Sequence, residues 1–212
     1  MTENHRSTKR PVALIFGGRS GEHDVSIVSA KSVDQALDRE HYEVVPMAID
    51  RGGLWADRDT ARRVLDESAD RTDGTVAFDG SFRIDPRLVD GSIDVAFPVL
   101  HGPFGEDGTI QGLFEMLDLP FVGCDSASSA VCMDKVFCKS LLAQAGLLTP
   151  PWQEIDRASW NAAKDEFVDR CLGLGLPVFV KPARLGSSVG LTKVTKRADP
   201  VSYTHLRAHE TT

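Results

Sequence analysis

The stretch PVALIFGG, residues 11–18, decides the fold class of this chain. An apolar run that ends in two glycines is typical of a strand buried on both faces of a parallel sheet. Similar runs return at residues 42–50, 93–100 and 176–182, and segments with helical periodicity lie between several of them. This alternation predicts an α/β fold on a parallel sheet, whose ligand site lies beyond the carboxyl ends of its strands.

The segment DVSIVSAKSVDQAL, which follows the first strand, predicts a helix with Asp24 as its N-cap. Its predicted buried face consists of apolar residues that recur three to five positions apart. These residues are Val25, Val28, Val33 and Leu37.

Residues 51–86 are charged, and we interpret them as a peripheral helix followed by a hairpin with little functional content. The turn signals for this hairpin are Asp73-Gly74 and Asp79-Gly80. A helix with an apolar stripe is predicted after the strand at 93–100. The stripe consists of Ile110, Leu113, Phe114 and Leu117.

Composition narrows the class of function. With 212 residues, 42% of them apolar, the chain can bury one large core or two small ones. A net charge of -7 argues against a general nucleic-acid or membrane-surface role. No apolar run is long enough to span a membrane, and the polar N-terminal residues contain no apolar segment typical of a signal peptide. We therefore expect a cytoplasmic location. The four cysteines fit no zinc pattern and are predicted to be reduced, buried thiols.

Changes in sequence pattern predict four segments. A polar, disordered leader covers residues 1–10, and a first domain covers 11–131. A second domain begins at 132 and runs to 200, with helices at 133–146 and near 158–170. Residues 201–212 have no apolar pattern, and VSYTHLRAHE matches the translation of a transposon end used in preparing sequencing libraries. We therefore expect this tail to be non-native.

Two glycine-rich motifs directly follow predicted strands. In GGRSGEHDVS, residues 17–26, glycines permit close backbone approach to a ligand, although Glu22 taken alone is better explained as a solvated loop carboxylate or a first-turn helix residue. In HGPFGEDGTIQG, residues 101–112, the position of His101 after a central strand favours a functional role over a strand cap. For Glu106 and Asp107 we favour a structural role, stabilising the helix that begins at Thr109.

Two lysines accompany the second domain. Lys135 in MDK stands at a helix start, where it could neutralise a phosphate or could simply be solvated. Lys181 ends an apolar strand before the Gly/Ser-rich loop of VFVKPARLGSSVG, residues 178–190. Such a loop can fold over a triphosphate, although it lacks the GK[ST] of a Walker P-loop and could be a glycine-rich hairpin turn.

Taken in this order, the motifs resemble the D-alanine:D-alanine ligases of the ATP-grasp superfamily, from about Val12 to about Val194. The segment FPVLHGPFGEDGTIQGLFEMLDLPFVG, residues 97–123, is the most specific part. The resemblance implies a Rossmann-like, pre-ATP-grasp parallel-sheet domain followed by the first part of an ATP-grasp domain. It also implies ATP-dependent joining of two D-alanines through a D-alanyl phosphate, for peptidoglycan synthesis.

The resemblance assigns roles near the first D-alanine. Glu22 would lie near the amino group of that substrate, in a hydrogen-bonded set with Ser187. His101 would lie beside its carboxylate. A homodimer to which the N-terminal domain contributes contacts is the expected assembly.

The resemblance also assigns the ATP site. Lys135 and Lys181 would bind phosphates, and Gly186, Ser187 and Ser188 would belong to the loop that closes over them. Magnesium or manganese would accompany the nucleotide, held by acidic residues and an asparagine from a C-terminal part that this sequence does not contain.

Several alternatives stay open. The acceptor could be D-lactate or D-serine, and another ATP-grasp ligase or a non-catalytic nucleotide-binding or dimerisation module could share parts of the pattern. We expect the chain by itself to lack ligase activity. We also expect the strand at 176–182 to expose sheet edges and apolar surface, while the first domain could fold alone.

Overall fold

The computed structural model describes residues 9–67 and 76–196. The chain divides into two compact units, Met1–Ala130 and Val131–Thr212, which we name unit 1 and unit 2 and describe separately. The turn signal Asp73-Gly74, most of the predicted leader and the tail at 201–212 lie outside the described residues.

Unit 1 is an α/β unit on a parallel sheet. Its elements are β1 Arg10–Gly17, α1 His23–Ala36, β2 Tyr42–Ile49, α2 Arg58–Glu67, a 3-10 turn Pro86–Leu88, β3 Val95–Pro98, α3 Thr109–Met116 and α4 Ser126–Met133, whose last turn passes the boundary. Within the described residues the strand order is β2-β1-β3, and both pairings are parallel. The predicted parallel sheet is therefore confirmed.

The central strand β1 is buried on both faces, as its sequence predicts. Ala13 and Ile15 pack with α3 side chains such as Phe114 on one face. Leu14 and Phe16 pack with residues of α1 and α2 on the other face. This arrangement gives unit 1 two apolar layers and directs the carboxyl ends of β1 and β3 toward one edge.

Backbone carbonyls on the outer edge of β2 accept hydrogen bonds from other parts of the chain. The carbonyl of Val44 accepts a hydrogen bond from Arg62 and that of Pro46 accepts one from Arg87, at 3.1 and 3.3 Å. The Ala48 carbonyl accepts one from the Ala56 amide at 2.9 Å. These outward-facing acceptors are satisfied without another strand, and Pro46 has no N–H to offer one.

Helix α1 corrects two predictions. It begins at His23 with Glu22 at the N-cap position, so Asp24 lies in the first turn, where it binds Arg51 at 2.6 Å. Its predicted buried face is half right: Val25 and Val28 are 54% and 40% exposed, whereas Val33 and Leu37 are partly buried against the core. The buried residues of this helix are His23, Ser26, Ile27, Ala30 and Asp34. Three of these five residues are polar, and each takes part in a hydrogen bond, which an apolar period does not detect.

The predicted hairpin at Asp79-Gly80 is not formed by the described residues 76–85. Gly80 instead donates its amide to the Asp50 carboxylate at 2.8 Å, and a side chain at Gly80 would overlap the backbone of Leu54. The glycine is therefore required for close packing rather than for a turn.

The cysteines also correct a prediction. All four are free, but Cys124 and Cys132 are exposed, and Cys138 and Cys171 are half-buried. Burial among apolar neighbours raises the pKa of the Cys171 thiol.

Unit 2 contains two helices and a small sheet in its described part. Its elements are α5 Lys135–Gln144, α6 Arg157–Leu172, β4 Val178–Val180 and β5 Thr192–Val194, and the two strands are antiparallel. Asp134 and Asp156 cap the two helices with side-chain hydrogen bonds. Its core consists of Trp160, Phe167, Val168 and Val194. In the described part of the chain, no helix is both long and apolar enough to cross a membrane.

Candidate functional site

In unit 1, the loop after β1 is built on two glycines. Gly17 and Gly18 have φ angles of 87° and 92°, and a Cβ on Gly17 would lie 2.3 Å from the Ile49 carbonyl oxygen. The Gly17 amide donates to Ser26 Oγ at 2.9 Å, and that hydroxyl donates to the Val99 carbonyl at 2.6 Å. Ser26, which the sequence reading did not single out, thus joins the ends of β1 and β3.

His23 also fixes the loop that follows β1, through a hydrogen bond to its backbone. Its Nδ1 donates to the Gly18 carbonyl oxygen at 2.8 Å, and its ring stacks on Phe78. Burial lowers the pKa of His23, with a smaller contribution from Arg51. The buried imidazole donates to the backbone of the first loop, which gives His23 a positioning role.

The loop after β3 is closed by its own acidic residues. Asp107 accepts from the Thr109 amide at 3.0 Å and from the Phe104 amide at 2.9 Å, so it stabilises the start of α3 as predicted. Glu106 instead accepts from the Gly102 amide at 2.7 Å. Gln111, another residue missed from sequence, donates to the Gly105 carbonyl at 2.8 Å.

The structure brings Glu22 and His101 to the same edge of unit 1. His101 is half-buried, and its Nε2 lies 3.1 Å from Ser29 Oγ. A Cβ on Gly102 would lie 2.9 Å from Glu22 Oε2, so the Glu22 carboxylate borders the second loop. The Arg19 guanidinium also lies over the Phe104 ring, 4.6 Å from its centroid.

A cavity of about 230 Å³ lies between these loops, lined by both glycines of the first loop and by His101. Its walls are mainly apolar, with Trp55 and Leu100 among them. An edge with a carboxylate, an imidazole and open backbone suits a small zwitterion that presents an ammonium and a carboxylate.

Unit 2 has a larger cavity of about 500 Å³, which is lined by Lys135 and Lys181. Trp152 and Phe179 contribute aromatic walls to it. The Phe179 side chain is exposed, and Lys181 directly follows the last residue of β4, so both line the cavity at one end of this strand. Two cations beside flat apolar walls match the phosphates and base of a nucleotide.

Lys135 contacts the chain that leads into the Gly/Ser-rich loop. Its Nζ donates to the carbonyls of Leu185 at 2.6 Å, Pro182 at 3.1 Å and Ala183 at 3.5 Å. Burial, followed by the nearby Lys181 charge, lowers the pKa of Lys135. The ammonium is therefore poorly solvated and favours an added anion.

Asp134 organises the start of α5. One carboxylate oxygen accepts from the amides of Val136 and Phe137, at 2.9 and 3.3 Å. The other accepts from Arg184 Nε at 2.8 Å. These hydrogen bonds lower the pKa of Asp134 against the opposing effect of burial. The aspartate of the MDK motif thus joins the helix to the segment that precedes the loop.

The loop at 186–190 has an unusual backbone. Ser187 and Ser188 have φ angles of 47° and 61°, a region that residues with a side chain rarely adopt. Two turns close the loop, from the Val189 amide to the Gly186 carbonyl and from the Leu191 amide to the Ser188 carbonyl. The predicted set of Glu22 with Ser187 joins residues of different units and stays a prediction.

A metal site of the chain's own would need several ligating side chains close together. Across residues 9–67 and 76–196, no group of three or more His, Cys, Asp or Glu side chains could hold a metal ion. The described part of the chain does not fit a magnesium or manganese site of its own, so we assign no step to a metal.

Comparison with known proteins decides the family. The model of the D-ala D-ala ligase N-terminus matches residues 11–124, and the model of the D-ala D-ala ligase C-terminus matches residues 141–209. The chain belongs to the D-alanine–D-alanine ligase family. The second match extends into the tail that we expected to be non-native.

Relatives in this family are similar along most of the chain. The D-alanine–D-alanine ligase of Corynebacterium efficiens is 44% identical over 222 residues, which cover 98% of this chain and 59% of that protein. The one from Heliobacterium modesticaldum is 42% identical over 205 residues, 92% of this chain and 55% of that protein. The chain thus spans about half the length of the curated relatives it matches.

Solved structures support the same fold. The D-alanine–D-alanine ligase of Coxiella burnetii has a TM-score of 0.75 at 32% identity, covering 96% of this chain and 60% of its own. The VanG D-Ala:D-Ser ligase of Enterococcus faecalis has a TM-score of 0.68 at 32% identity, covering 94% of this chain and 59% of its own. The predicted fold class, a parallel α/β domain followed by the first part of an ATP-grasp domain, is confirmed.

Proposed function

We propose that this chain supplies the first-substrate site and part of the nucleotide site of an ATP-dependent D-alanine–D-alanine ligase that serves peptidoglycan synthesis. The observation that carries the proposal is the convergence of Lys135 and Lys181 on one cavity with aromatic walls. The family membership supports the same conclusion.

In this proposal unit 1 binds the first D-alanine. The Glu22 carboxylate pairs with its ammonium, and His101 donates a hydrogen bond to its carboxylate. The bonds from Ser26 and His23 keep the first loop in place, so little ordering is needed when substrate binds.

Unit 2 binds ATP in this proposal, with Phe179 against the base and Lys181 on the phosphates. A carboxylate oxygen of D-alanine attacks the γ-phosphorus, ADP leaves, and the amine of a second D-alanine displaces phosphate from the acyl carbon. The lysines stabilise the charge that develops on the transferred phosphoryl group. The loop at 186–190, through Gly186, Ser187 and Ser188, would cover the phosphates and exclude water from the acyl phosphate.

Magnesium or manganese would enter with the nucleotide and reduce the charge on its phosphates. A homodimer and a cytoplasmic location belong to the same proposal. The Enterococcus faecalis neighbour is a D-Ala:D-Ser ligase at the same identity as the Coxiella burnetii enzyme, so D-serine is retained as a second candidate acceptor.

A chimera tests the proposed activity. Residues 1–196 are joined to the part of the Corynebacterium efficiens ligase that follows the position aligned with residue 196, and ADP release is measured with D-alanine and Mg-ATP. We expect D-alanine-dependent ADP release from the chimera and none from the 212-residue chain alone. Replacing Lys181 with Met should lower kcat about 100-fold, because one transition-state donor is lost.

The matched control is Lys164→Met, which removes an equal charge from α6, where Lys164 lies over Trp160. It should change kcat less than about twofold, in line with other surface substitutions. A folded chimera that releases ADP only when D-serine is supplied together with D-alanine would favour the second acceptor. A folded chimera that releases no ADP with D-alanine alone or with both amino acids would contradict the proposal.

A further inference from the structure

Lys135 has a contact that nucleotide binding alone does not explain. Its shortest hydrogen bond, at 2.6 Å, goes to the carbonyl of Leu185, the residue directly before the loop at 186–190. A lysine ammonium has three N–H donors, and here they face three backbone carbonyls. A phosphate oxygen that binds Nζ must therefore replace a backbone acceptor.

The position of the cavity indicates which acceptor is lost. Pro182 and Ala183 line the cavity together with Lys135, whereas Leu185 is not among its lining residues. An ammonium drawn toward an anion in the cavity keeps its contacts with the first two carbonyls and moves away from the third. The repulsion between Lys135 and Lys181 is relieved in the same step, because the anion lies between both charges.

The segment before Leu185 is held independently of the Lys135 side chain. The Ala183 carbonyl accepts from the Lys135 backbone amide at 3.0 Å, and Arg184 Nε binds Asp134 at 2.8 Å. Of these contacts, only the bond from Nζ to the Leu185 carbonyl reaches past Arg184. Loss of that bond would consequently affect the loop and leave its base in place.

The loop itself favours movement. Ser187 and Ser188 are consecutive residues with positive φ, and both are exposed. Adjacent left-handed serines are held in a sparsely populated conformation, so a loop released at Leu185 has other conformations of comparable energy to adopt.

We propose that Lys135 is a latch operated by nucleotide: the phosphates of a nucleoside triphosphate and the Leu185 carbonyl compete for its ammonium, and binding frees the loop at 186–190 to move over the phosphates. The inference rests on the proposed nucleotide site. It adds to that site a positioning role for Lys135, exerted through Leu185.

The sequence provides a selective probe of this bond. Leucine precedes glycine three times, at Leu172, Leu174 and Leu185. Labelling the 212-residue chain with carbonyl-13C leucine and 15N glycine therefore gives three carbonyl NMR signals, each assigned by replacing its glycine with alanine. The Leu185 signal reports the latch. Leu174 lines the cavity and reports its occupancy, and Leu172 serves as the internal reference.

The experiment compares variants before and after addition of adenylyl imidodiphosphate with magnesium, with binding measured separately by calorimetry. Without nucleotide, Lys135→Met should shift the Leu185 signal and leave the Leu172 signal in place, which also shows that the variant is folded. In the unsubstituted chain, saturating nucleotide should move the Leu185 signal in the same direction, by at least half as much. Lys135→Arg, which retains charge and donors, should restore most of the original Leu185 signal.

Lys139→Met is the matched control, because Lys139 lies on the same helix and lines the same cavity but contacts Trp152 instead. It should leave the Leu185 signal unchanged. If nucleotide binds and shifts the Leu174 signal while Leu185 stays in place, the latch is wrong and the nucleotide site stands. If Lys135→Met leaves the Leu185 signal unchanged, the latch is also wrong. Absence of binding by calorimetry would contradict both the latch and the proposed nucleotide site.

Discussion

Unit 1 and unit 2 differ in how completely they cover their sheets. The central strand of unit 1 is covered on both faces, and every residue from Ala13 to Phe16 is fully buried. The two-stranded sheet of unit 2 packs on one face only, so Phe179 is 53% exposed, and Leu148 in the segment after α5 is entirely exposed. A closed core and an open one thus occur in a single chain, and we expect stability to be concentrated in the first and motion in the second.

The largest expected effect is on the core itself. Phe16→Ala should lower the free energy of unfolding of unit 1 by about 3–5 kcal/mol, because it leaves a cavity in a closed core. Phe179→Ala should change that of unit 2 by less than about 0.5 kcal/mol, since its ring is already half in water. Hydrogen exchange of peptides from β1 and α6 along a urea series measures each unit separately. Equal losses from the two substitutions would contradict the contrast between the units.

Two glycines, one in each unit, allow a second comparison of packing, with a smaller expected change in the free energy of unfolding. Gly17 and Gly146 both have positive φ, so alanine adds about 1–2 kcal/mol of backbone strain at either position. At Gly17 the new Cβ would also meet the Ile49 carbonyl at 2.3 Å, whereas nothing lies within 4 Å at Gly146. Gly17→Ala should therefore cost about 1–3 kcal/mol more than Gly146→Ala. The same exchange experiment tests this, and a Gly146 variant that is equally destabilised would show that unit 2 is packed more tightly than described.

The smallest expected effect is a pH dependence confined to unit 1. Burial lowers the folded pKa of His23 below its ordinary value of 6.5, so the unfolded chain binds more protons between the two values. The contribution of His23 to stability is complete above pH 6.5 and is lost as the pH falls toward the folded pKa. In unit 2 the pKa of Asp134 is lowered, so its contribution to stability changes with pH only below the ordinary value of 3.8.

The β1 peptide should accordingly lose protection on going from pH 7.5 to pH 5.5, after correction for intrinsic exchange, while the α6 peptide should not. His23→Gln removes the titration and should flatten the response of unit 1. A slope that survives in this variant would place the titrating group elsewhere. A parallel slope in the α6 peptide would mean that the two units do not respond separately.

Much of the fold could be predicted because apolar runs directly record burial. The run at residues 11–18 predicts a strand buried on both faces, and β1 has that position and pairing. The stripe of Ile110 and Phe114 likewise predicts the buried face of α3. These elements are held by side chains whose hydropathy alone decides where they lie.

The failures have the opposite cause, since polar groups are buried where hydrogen bonds satisfy them. Ser26 and His23 lie in the core face of α1 because each binds a backbone group of the neighbouring loop. The sequence predicts a turn at Gly80, whereas the structure shows that this position packs against the Leu54 backbone, where a side chain would not fit. The Val99 carbonyl that Ser26 also binds and the Leu54 backbone beside Gly80 lie far away along the chain, and a hydropathy pattern does not reveal the hydrogen bonds to Gly17 and Gly18.

The candidate site was predictable in part for a related reason. Glycine and charged residues after strands predict that Glu22 and His101 lie at one edge of unit 1, and the structure places them there, whereas their roles in binding stay proposals. The bonds from Lys135 to residues 182–185 depend on a contact between segments about fifty positions apart, and its phosphate-binding role stays a proposal. The prediction that the four cysteines are buried is wrong, because residues with apolar neighbours in the sequence need not have apolar neighbours in space.

The outer edge of β2 bears on how the chain behaves in concentrated solution. A fold with one open core is at risk of joining other copies through its strands, and an unprotected parallel edge would give such growth a template. The carbonyls of Val44, Pro46 and Ala48 are each occupied from within the chain, and proline removes one N–H from the same edge. Addition of a foreign strand there would require the loss of two arginine bonds and one backbone bond. The edge of β2 is therefore a poor template for fibrillar growth.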